Sequence, residues 1–311
     1  MFSALRTKVK ILNETMWGRT LPWSDVERWL SRFKGNEDTE PSEKLHALYL
    51  LSHFSYFNSS LMKVLLKSLF RDLIQYPVIT KARRKNKNSL EWSELENDYN
   101  DSMKRIKIVG IGNPSESGTH LLYYFRQENE LPVDMFISTH EIFSIEPDGQ
   151  EKLIDVDQLI FLDDFCGSGS QAVRYSKNLL SKIVKIDQKV RLSYFPLFAT
   201  SKGLNYVKKR AIFHDVATIC ELDPSFASVD KFSRYFKEQF EGIDKDFAFQ
   251  LCKNYGNRLE PSCPLGFKNG QLLLGFAHNI PNNSLPIFWS DGRGDLLWDP
   301  VFRRYKKDKA W

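Results

Sequence analysis

The sequence predicts an α/β protein built on an open, mostly parallel sheet, with a helical N-terminal region before it and a Pro-, Gly- and Asn-rich part after it. Three observations predict this. From Arg105 onward, short apolar runs alternate with stretches of helical spacing. One of those runs, VDQLIFLDD, shows no polar alternation, as expected of a strand covered on both faces. Before Arg105 the apolar residues instead recur at three- and four-residue steps. The division expected from these shifts is 1–100 helical, 101–230 α/β core, and 231–311 C-terminal helices and covering segment.

Along the chain, WSDVERWLSRF places Trp23, Val26, Trp29, Leu30 and Phe33 on one helical face, with Ser24 as a cap and Glu27 three residues on. PSEKLHALYLLSHFSYF is apolar almost all round, which predicts a helix buried on most sides. SSLMKVLLKSLFRDLIQY is amphipathic and is expected to stop before Pro77. The basic run Lys81, Arg83, Arg84, Lys85 and Lys87 then reads as an exposed, flexible connection. A weaker reading lets its cations contact the phosphates of a nucleic acid.

Next come a strand IKIVGIG, a helix THLLYYFRQENE, an apolar run VDMFIST and the polar stretch HEIFSIEPDGQEKL. The strand VDQLIFLDD, the helix SQAVRYSKNLLSKIVKI, the strand VRLSYFPLFAT, the helix KGLNYVKKR and the strand IFHDVATICEL complete the alternation. Beyond it, FSRYFKEQFEGI and FAFQLCKNYGNRL have helical spacing, and QLLLGFAHNIPNNSLPIFW reads as strand, turn and strand.

Composition narrows the classes. Hydrophobic residues make up 42% of the 311, enough for a sizeable core. No run reaches the roughly 18 apolar residues of a membrane span, and the N-terminus lacks the apolar block of a secretory signal. A cytoplasmic protein is therefore expected. Cys166, Cys220, Cys252 and Cys263 are scattered, without a C-x-x-C pair or metal-ligand spacing, so reduced thiols are expected. The net charge of +5 permits an anionic ligand without demanding one.

Chemistry concentrates in FLDDFCGSGSQ. Ligands of open α/β sheets bind beyond the carboxyl ends of the strands, and Asp163 and Asp164 are read at such an end. The CGSGS that follows opens a helix, so its amides and the hydroxyls of Ser168 and Ser170 can hold a phosphate, with Gly167 and Gly169 allowing the tight path. Adjacent carboxylates repel, which a sugar's hydroxyls or Mg²⁺ would relieve. The plainer reading makes the acids a strand end and helix cap.

LIFLDDFCGSGSQ resembles the phosphoribosyltransferase fingerprint: an apolar strand, two acids, one apolar residue and a small Ser/Thr-Gly loop. The resemblance implies that Asp163 and Asp164 hold the ribose hydroxyls and, directly or indirectly, Mg²⁺. It further implies that Cys166, Gly167, Ser168, Gly169, Ser170 and Gln171 surround the 5-phosphate. Gln171 stands where many members have Thr. Gly167 stands where purine-salvage members carry an Asp proposed as base. The earlier loop of Gly112, Asn113, Pro114, Ser115, Glu116, Ser117 and Gly118 sits where the fold holds pyrophosphate; read alone, it is a strand-to-helix turn.

Together with PSESGTHLLYYFR, GFKNGQLLLGFAHNIPNNSLPIFW and the final WDPVFRR, these motifs look like the phosphoribosyltransferase-like proteins associated with bacterial conflict and antiphage systems. The resemblance implies an effector that makes or cleaves a ribose-phosphate to base bond on a nucleotide-type substrate such as phosphoribosyl pyrophosphate. It implies a defence-system partner, an ATPase or reverse transcriptase. The alternative is a non-catalytic sensor of the same ligands. The C-terminal part would then be a hood, with Asn282, Asn283 and Trp289 as base-contacting candidates; turn chemistry and plain core packing are their other readings. Lys202, after the strand VRLSYFPLFAT, would neutralise phosphate, although a solvated lysine is the default. His214 with Asp215, and His120, are weaker acid–base candidates.

Overall fold

The computed structural model describes residues 1–111, 117–238, 240–292 and 297–304, with the backbone alone for 117–120. The chain opens with α1 (Phe2–Thr15), α2 (Trp23–Leu30), α3 (Glu40–Leu51), β1 (Ser55–Phe57), α4 (Ser59–Phe70), α5 (Tyr76–Lys85) and α6 (Trp92–Lys104). It continues with β2 (Ile106–Gly110), α7 (Ser117–Glu128), β3 (Phe143–Ile145), β4 (Glu151–Leu153), β5 (Gln158–Cys166), α8 (Ser170–Tyr175) and α9 (Ser181–Ile186). Then follow β6 (Arg191–Thr200), α10 (Ser201–Arg210), β7 (Asp215–Val216), β8 (Cys220–Leu222), α11 (Lys245–Leu259) and β9 (Leu274–Phe276).

Contacts gather these elements into two compact units, Met1–Met62 with Asp223–Trp311, and Lys63–Leu222. This partition does not follow the boundaries at 100 and 230 read from the sequence. Its cause is burial: helices α1 to α3 bring Trp17, Trp29, Phe33 and Leu48 into one core with Leu251, Phe288 and Trp298. In that unit β1 pairs in parallel with β9, Ser55 opposite Leu274. Trp29 and Trp298 both donate their ring N–H to the Ile287 carbonyl, at 2.8 and 3.0 Å, so their large apolar bodies are buried without an orphaned donor.

The second unit holds the expected α/β sheet. β2, β5 and β6 run parallel in that order, and β7 and β8 both pair with the far side of β6. On one face, Leu159 and Phe161 of β5 and Leu192 and Tyr194 of β6 pack with Ala172, Ile183, Leu204 and Val207 from α8 to α10. The predicted single strand at IFHDVATICEL is two short pieces. Leu192 and Tyr194 accept from His214 and Ala217, so even-numbered residues of β6 turn their backbone toward β7 and β8. Pro196 turns the same way and has no N–H to donate, so the ladder breaks between the two pieces.

Other expectations are corrected. SYF is β1 instead of the end of a helix, because its partner β9 comes from the far end of the chain. Helical conformation runs through Pro77: α4, a wide π turn at Arg71–Gln75 and α5 are continuous, and Pro77 stands just after the π turn, whose widened backbone takes up its missing amide. The basic run is therefore helical up to Lys85, and α6 follows it. VDMFIST forms a short 3-10 turn and one bridge from Phe136 to Ile108. The polar stretch after it forms the β3–β4 hairpin. Among the described residues of FSRYFKEQFEGI the helical part is a 3-10 turn at Arg234–Phe236, and the second strand expected in NNSLPIFW is a 3-10 turn at Pro286–Phe288.

Gly256 lies inside α11, where Ala would ordinarily stabilise. A Cβ there would strike the backbone carbonyl of Pro264, which cannot rotate away. Replacing a mid-helix Gly by Ala gains about 1 kcal/mol in propensity, whereas overpacking costs about 1–3 kcal/mol. Gly256→Ala is therefore expected to lower the thermal midpoint, and a midpoint at or above the parent's would contradict the contact.

Candidate functional site

Successive parallel segments are added on both sides of β2. Its C-terminal connection, through α7, leads to Phe136, which bridges to one side of β2, while β5 pairs on the other. In such a sheet the crevice lies where neighbouring connections diverge, beyond the strand ends. The ends that meet there are Gly110 of β2 and Cys166 of β5, with Thr200 of β6 alongside.

β5 does not stop at the two acids but continues through them to Cys166. The two acids differ in burial, Asp163 being 8% exposed and Asp164 half-buried, while their side chains stay close enough to hydrogen-bond to each other. Asp163 accepts from the Tyr194 hydroxyl at 2.8 Å and from the Asp164 amide at 2.9 Å. Burial, reinforced by the charge of Asp164 and by a side-chain hydrogen bond with it, pushes its carboxyl well above the usual carboxylate range, against the opposing pull of the Tyr194 hydrogen bond. The like-charge problem read from the sequence is thus eased by the raised proton affinity of the buried acid and by the hydrogen bond between the two side chains. Tyr194 lies wholly inside, with its own ionisation pushed up by burial and by Asp163. Cys166 completes the cluster: burial raises its thiol to about 12, and its sulfur also interacts with Tyr194 and the Gly169 amide. Cys166 thus supports the loop from beneath.

The loop is fixed from the side of β6. Thr200 caps α10 by accepting from the Gly203 amide at 2.9 Å and donates to the Gly167 carbonyl at 2.5 Å. A Cβ on Gly203 would lie 2.5 Å from that same carbonyl and 2.8 Å from the carbonyl of Cys166. Gly169 has φ +71° and would place a Cβ 2.7 Å from the Gly203 carbonyl. Above them the Ser168 hydroxyl donates to Ser170 Oγ at 3.1 Å and accepts from the Ser170 amide at 3.4 Å. Ser168 and Ser170 are half-buried and Gln171 is exposed, so this rim is open to a ligand. Thr200, Gly203 and Tyr194 were not singled out from the sequence. A Thr-x-x-Gly helix start after a strand was the one signal available for the first two.

The remaining candidates are dispersed. Gly112, Asn113, Pro114, Ser115 and Glu116 lie outside the described residues, and the backbone of Ser117 and Gly118 opens α7, which also carries His120. Lys202 is exposed in the first turn of α10, at the same sheet edge as the loop. Asn283 and Trp289 are buried in the other unit, where each donates to a backbone carbonyl, of Phe267 at 3.0 Å and of Ser284 at 2.8 Å. Asn282 is half-buried, and its carbonyl accepts from the Phe267 amide at 2.7 Å. These are packing and turn roles. His214 and Asp215 sit at the opposite edge of the sheet, Asp215 in a two-bond ion pair with Arg191 at 2.5 Å. Among the described residues, no group of three or more His, Cys, Asp or Glu gathers to hold a metal, and no helix is long and apolar enough to cross a membrane.

The PRTase-CE family matches residues 26–304, most of the chain. No curated protein matches. Among solved structures, the AQ2163 protein of Aquifex aeolicus is 11% identical, with 64% of this chain and 83% of that one covered and a TM-score of 0.29. The Helicobacter pylori xanthine-guanine-hypoxanthine phosphoribosyltransferase is 9% identical, with 43% of this chain and 89% of that one covered and a TM-score of 0.23.

The buried acid gives a pH signature. Asp163 binds its proton more tightly folded than unfolded, where an Asp titrates near 3.9. Its contribution to stability is complete below that value and is lost as the pH rises through the folded value. Asn in its place carries no such dependence. The melting temperature of Asp163→Asn relative to the parent is expected to climb between about pH 4 and pH 8; a difference constant across that range would contradict a buried neutral acid.

Proposed function

We propose that this chain, which belongs to the PRTase-CE family, uses the C-terminal edge of its sheet to hold a ribose 5-phosphate and to make or break the bond between that sugar and a base. A phosphoribosyltransferase-like character follows from the family; the substrate and reaction are the present reading. The observation that carries it is the half-buried Asp164 directly before a loop held open by Thr200 and Gly203. In this reading Asp164 accepts from the ribose hydroxyls, and the amides and hydroxyls of residues 167–171 grip the phosphate. Asp163 positions its neighbour from below by accepting from the Asp164 amide.

Making the sugar–base bond from phosphoribosyl pyrophosphate breaks the bond from C1 to pyrophosphate, which leaves with the electron pair, while a base nitrogen bonds to C1 and gives its proton to solvent. Cleavage is the reverse, with pyrophosphate or water bonding to C1 as the base leaves. In both directions positive charge builds on the ribose. Preorganised donors that stabilise the leaving anion are worth most in a water-excluded site. The residues fit a magnesium ion of the kind held by one or two carboxylates and by the substrate's own oxygens. Asp164 would be its protein ligand here, with the neutral Asp163 a weaker partner. When bound, such an ion would neutralise charge on a phosphate or pyrophosphate leaving group. The loop at 112–118 and Lys202 would add to the same anion site.

The antiphage role rests on the resemblance of the motifs described above. In that role the chain is a cytoplasmic effector, a toxin partnered by an ATPase or a reverse transcriptase. One observation favours a second reading as a non-catalytic sensor: Gly167 stands where related enzymes carry an acid proposed as base.

Incubation with phosphoribosyl pyrophosphate or nucleotides and Mg²⁺, followed by chromatography for released base or pyrophosphate, tests the reading. Asp164→Asn is expected to lower turnover by about 100-fold or more, the scale of a lost transition-state contact. Asp163→Asn should cost less. Equal activity in Asp164→Asn and the parent would refute the assignment. Calorimetric binding with no product from the parent would support the sensor instead.

A further inference from the structure

The second unit carries a cleft of about 680 Å³ at the opposite edge of its sheet, among the starts of β2, β5, β6 and β7. It is about 20 Å from Asp164, taking six residues of β5 at about 3.3 Å each from Gln158. Its volume lies within the range of small-molecule pockets. The floor is apolar, formed by Ile74, Val78, Ile106 and Phe195. The rim carries Lys81, Arg84, Lys189 and Arg191.

The charge at this rim is unbalanced. Each of the lining acids already has a cation: Asp72 has Arg71 at 2.7 Å, Asp157 has Arg105 at 2.7 Å and Asp215 has Arg191 at 2.5 Å. Arg105 holds Asp157 below the usual carboxylate range; burial opposes this and Lys81 adds to it. Lys81, Arg84 and Lys189 make no ion pair among the described residues. The spacing of α5 produces this selection. Ile74, Pro77, Val78, Lys81 and Arg84 recur at three- and four-residue steps and so share one face. Two other cations of the basic run are engaged elsewhere: Arg83 donates to the Ser89 carbonyl at 3.0 Å, and Lys85 pairs with Asp98. One wall is already fixed, since Gln158 donates to Ser193 at 2.8 Å and Ser193 to Asp215 at 2.9 Å.

An apolar floor beneath three cations that make no ion pair among the described residues matches a ligand with a flat apolar body and a phosphate at one end. We propose that this cleft is a second ligand site, separate from the Asp164 edge, that binds a nucleotide with its base over Phe195 and its phosphate at Lys81, Arg84 and Lys189.

Calorimetry of the full chain with adenosine 5′-monophosphate as probe tests it, in the parent, in Ser168→Asp and in Lys81→Ala/Arg84→Ala. Ser168→Asp sets a carboxylate in the phosphate loop and should leave one binding event intact. The double substitution changes only exposed side chains and should weaken that event about tenfold or more, the scale of losing charge-assisted contacts. Added salt should weaken it as well. Adenosine alone and pyrophosphate alone should each bind less tightly than the monophosphate. The proposal is overturned if the double substitution leaves affinity unchanged, or if Ser168→Asp alone abolishes all binding. It is equally overturned if a single-stranded oligonucleotide binds through Lys81 and Arg84 while the monophosphate does not. Loss of turnover in Asp164→Asn with this binding kept would separate the two sites.

Discussion

The site depends on the contact between the loop after β5 and the start of α10. Thr200 satisfies the first turn of α10 and the Gly167 carbonyl at once, and Gly203 has no side chain where that carbonyl passes. Backbone polar groups this close must be paired or exposed to water. A residue larger than glycine at 203 would have to push the loop outward. Gly169 meets the same constraint from the other side, where a left-handed backbone and the Gly203 carbonyl both exclude a Cβ. The loop's shape is therefore set by α10 as much as by its own sequence.

From that constraint follows the unequal fate of the two acids. Asp163 keeps the phase of Leu159 and Phe161 along β5, while the pairing with β6 skips Asp164 and resumes at Phe165 opposite Phe198. One carboxyl must enter the face that packs on α8 to α10, and it meets Tyr194 there. The interior tolerates it because it is neutral and hydrogen-bonded, whereas an unpaired buried charge would cost far more. The other carboxyl remains at the ligand edge. The two acids thus differ in surroundings, Asp163 bonded to Tyr194 in the interior and Asp164 half-exposed at the sheet edge.

Much of this was legible in the sequence. The unalternating run of β5, the glycine-serine loop and the helix after it lie where periodicity puts them, and so do β6 and α10. What escaped depended on distant partners. SYF is a strand only because β9 lies beside it, and the apolar stripe of α1 to α3 makes its core with residues more than two hundred positions later. Pro77 was read as a stop, yet the π turn at Arg71–Gln75 just before it lets the helix continue past a residue without an amide. The basic run was read as loop because its charges are dense, while its spacing also fits the helical face that lines the second cleft. The buried role of Asp163 could not be read, since it rests on Tyr194, thirty-one residues away and on another strand.

The direct measurement is a crystal structure of the full chain with ribose 5-phosphate. The account predicts the phosphate within hydrogen-bond reach of Ser168 and the loop amides, a ribose hydroxyl on the Asp164 carboxylate, and Asp163 still bonded to Tyr194 beneath them. A sugar phosphate seated elsewhere, or one that draws Asp163 off Tyr194 while Asp164 makes no contact with it, would contradict the account.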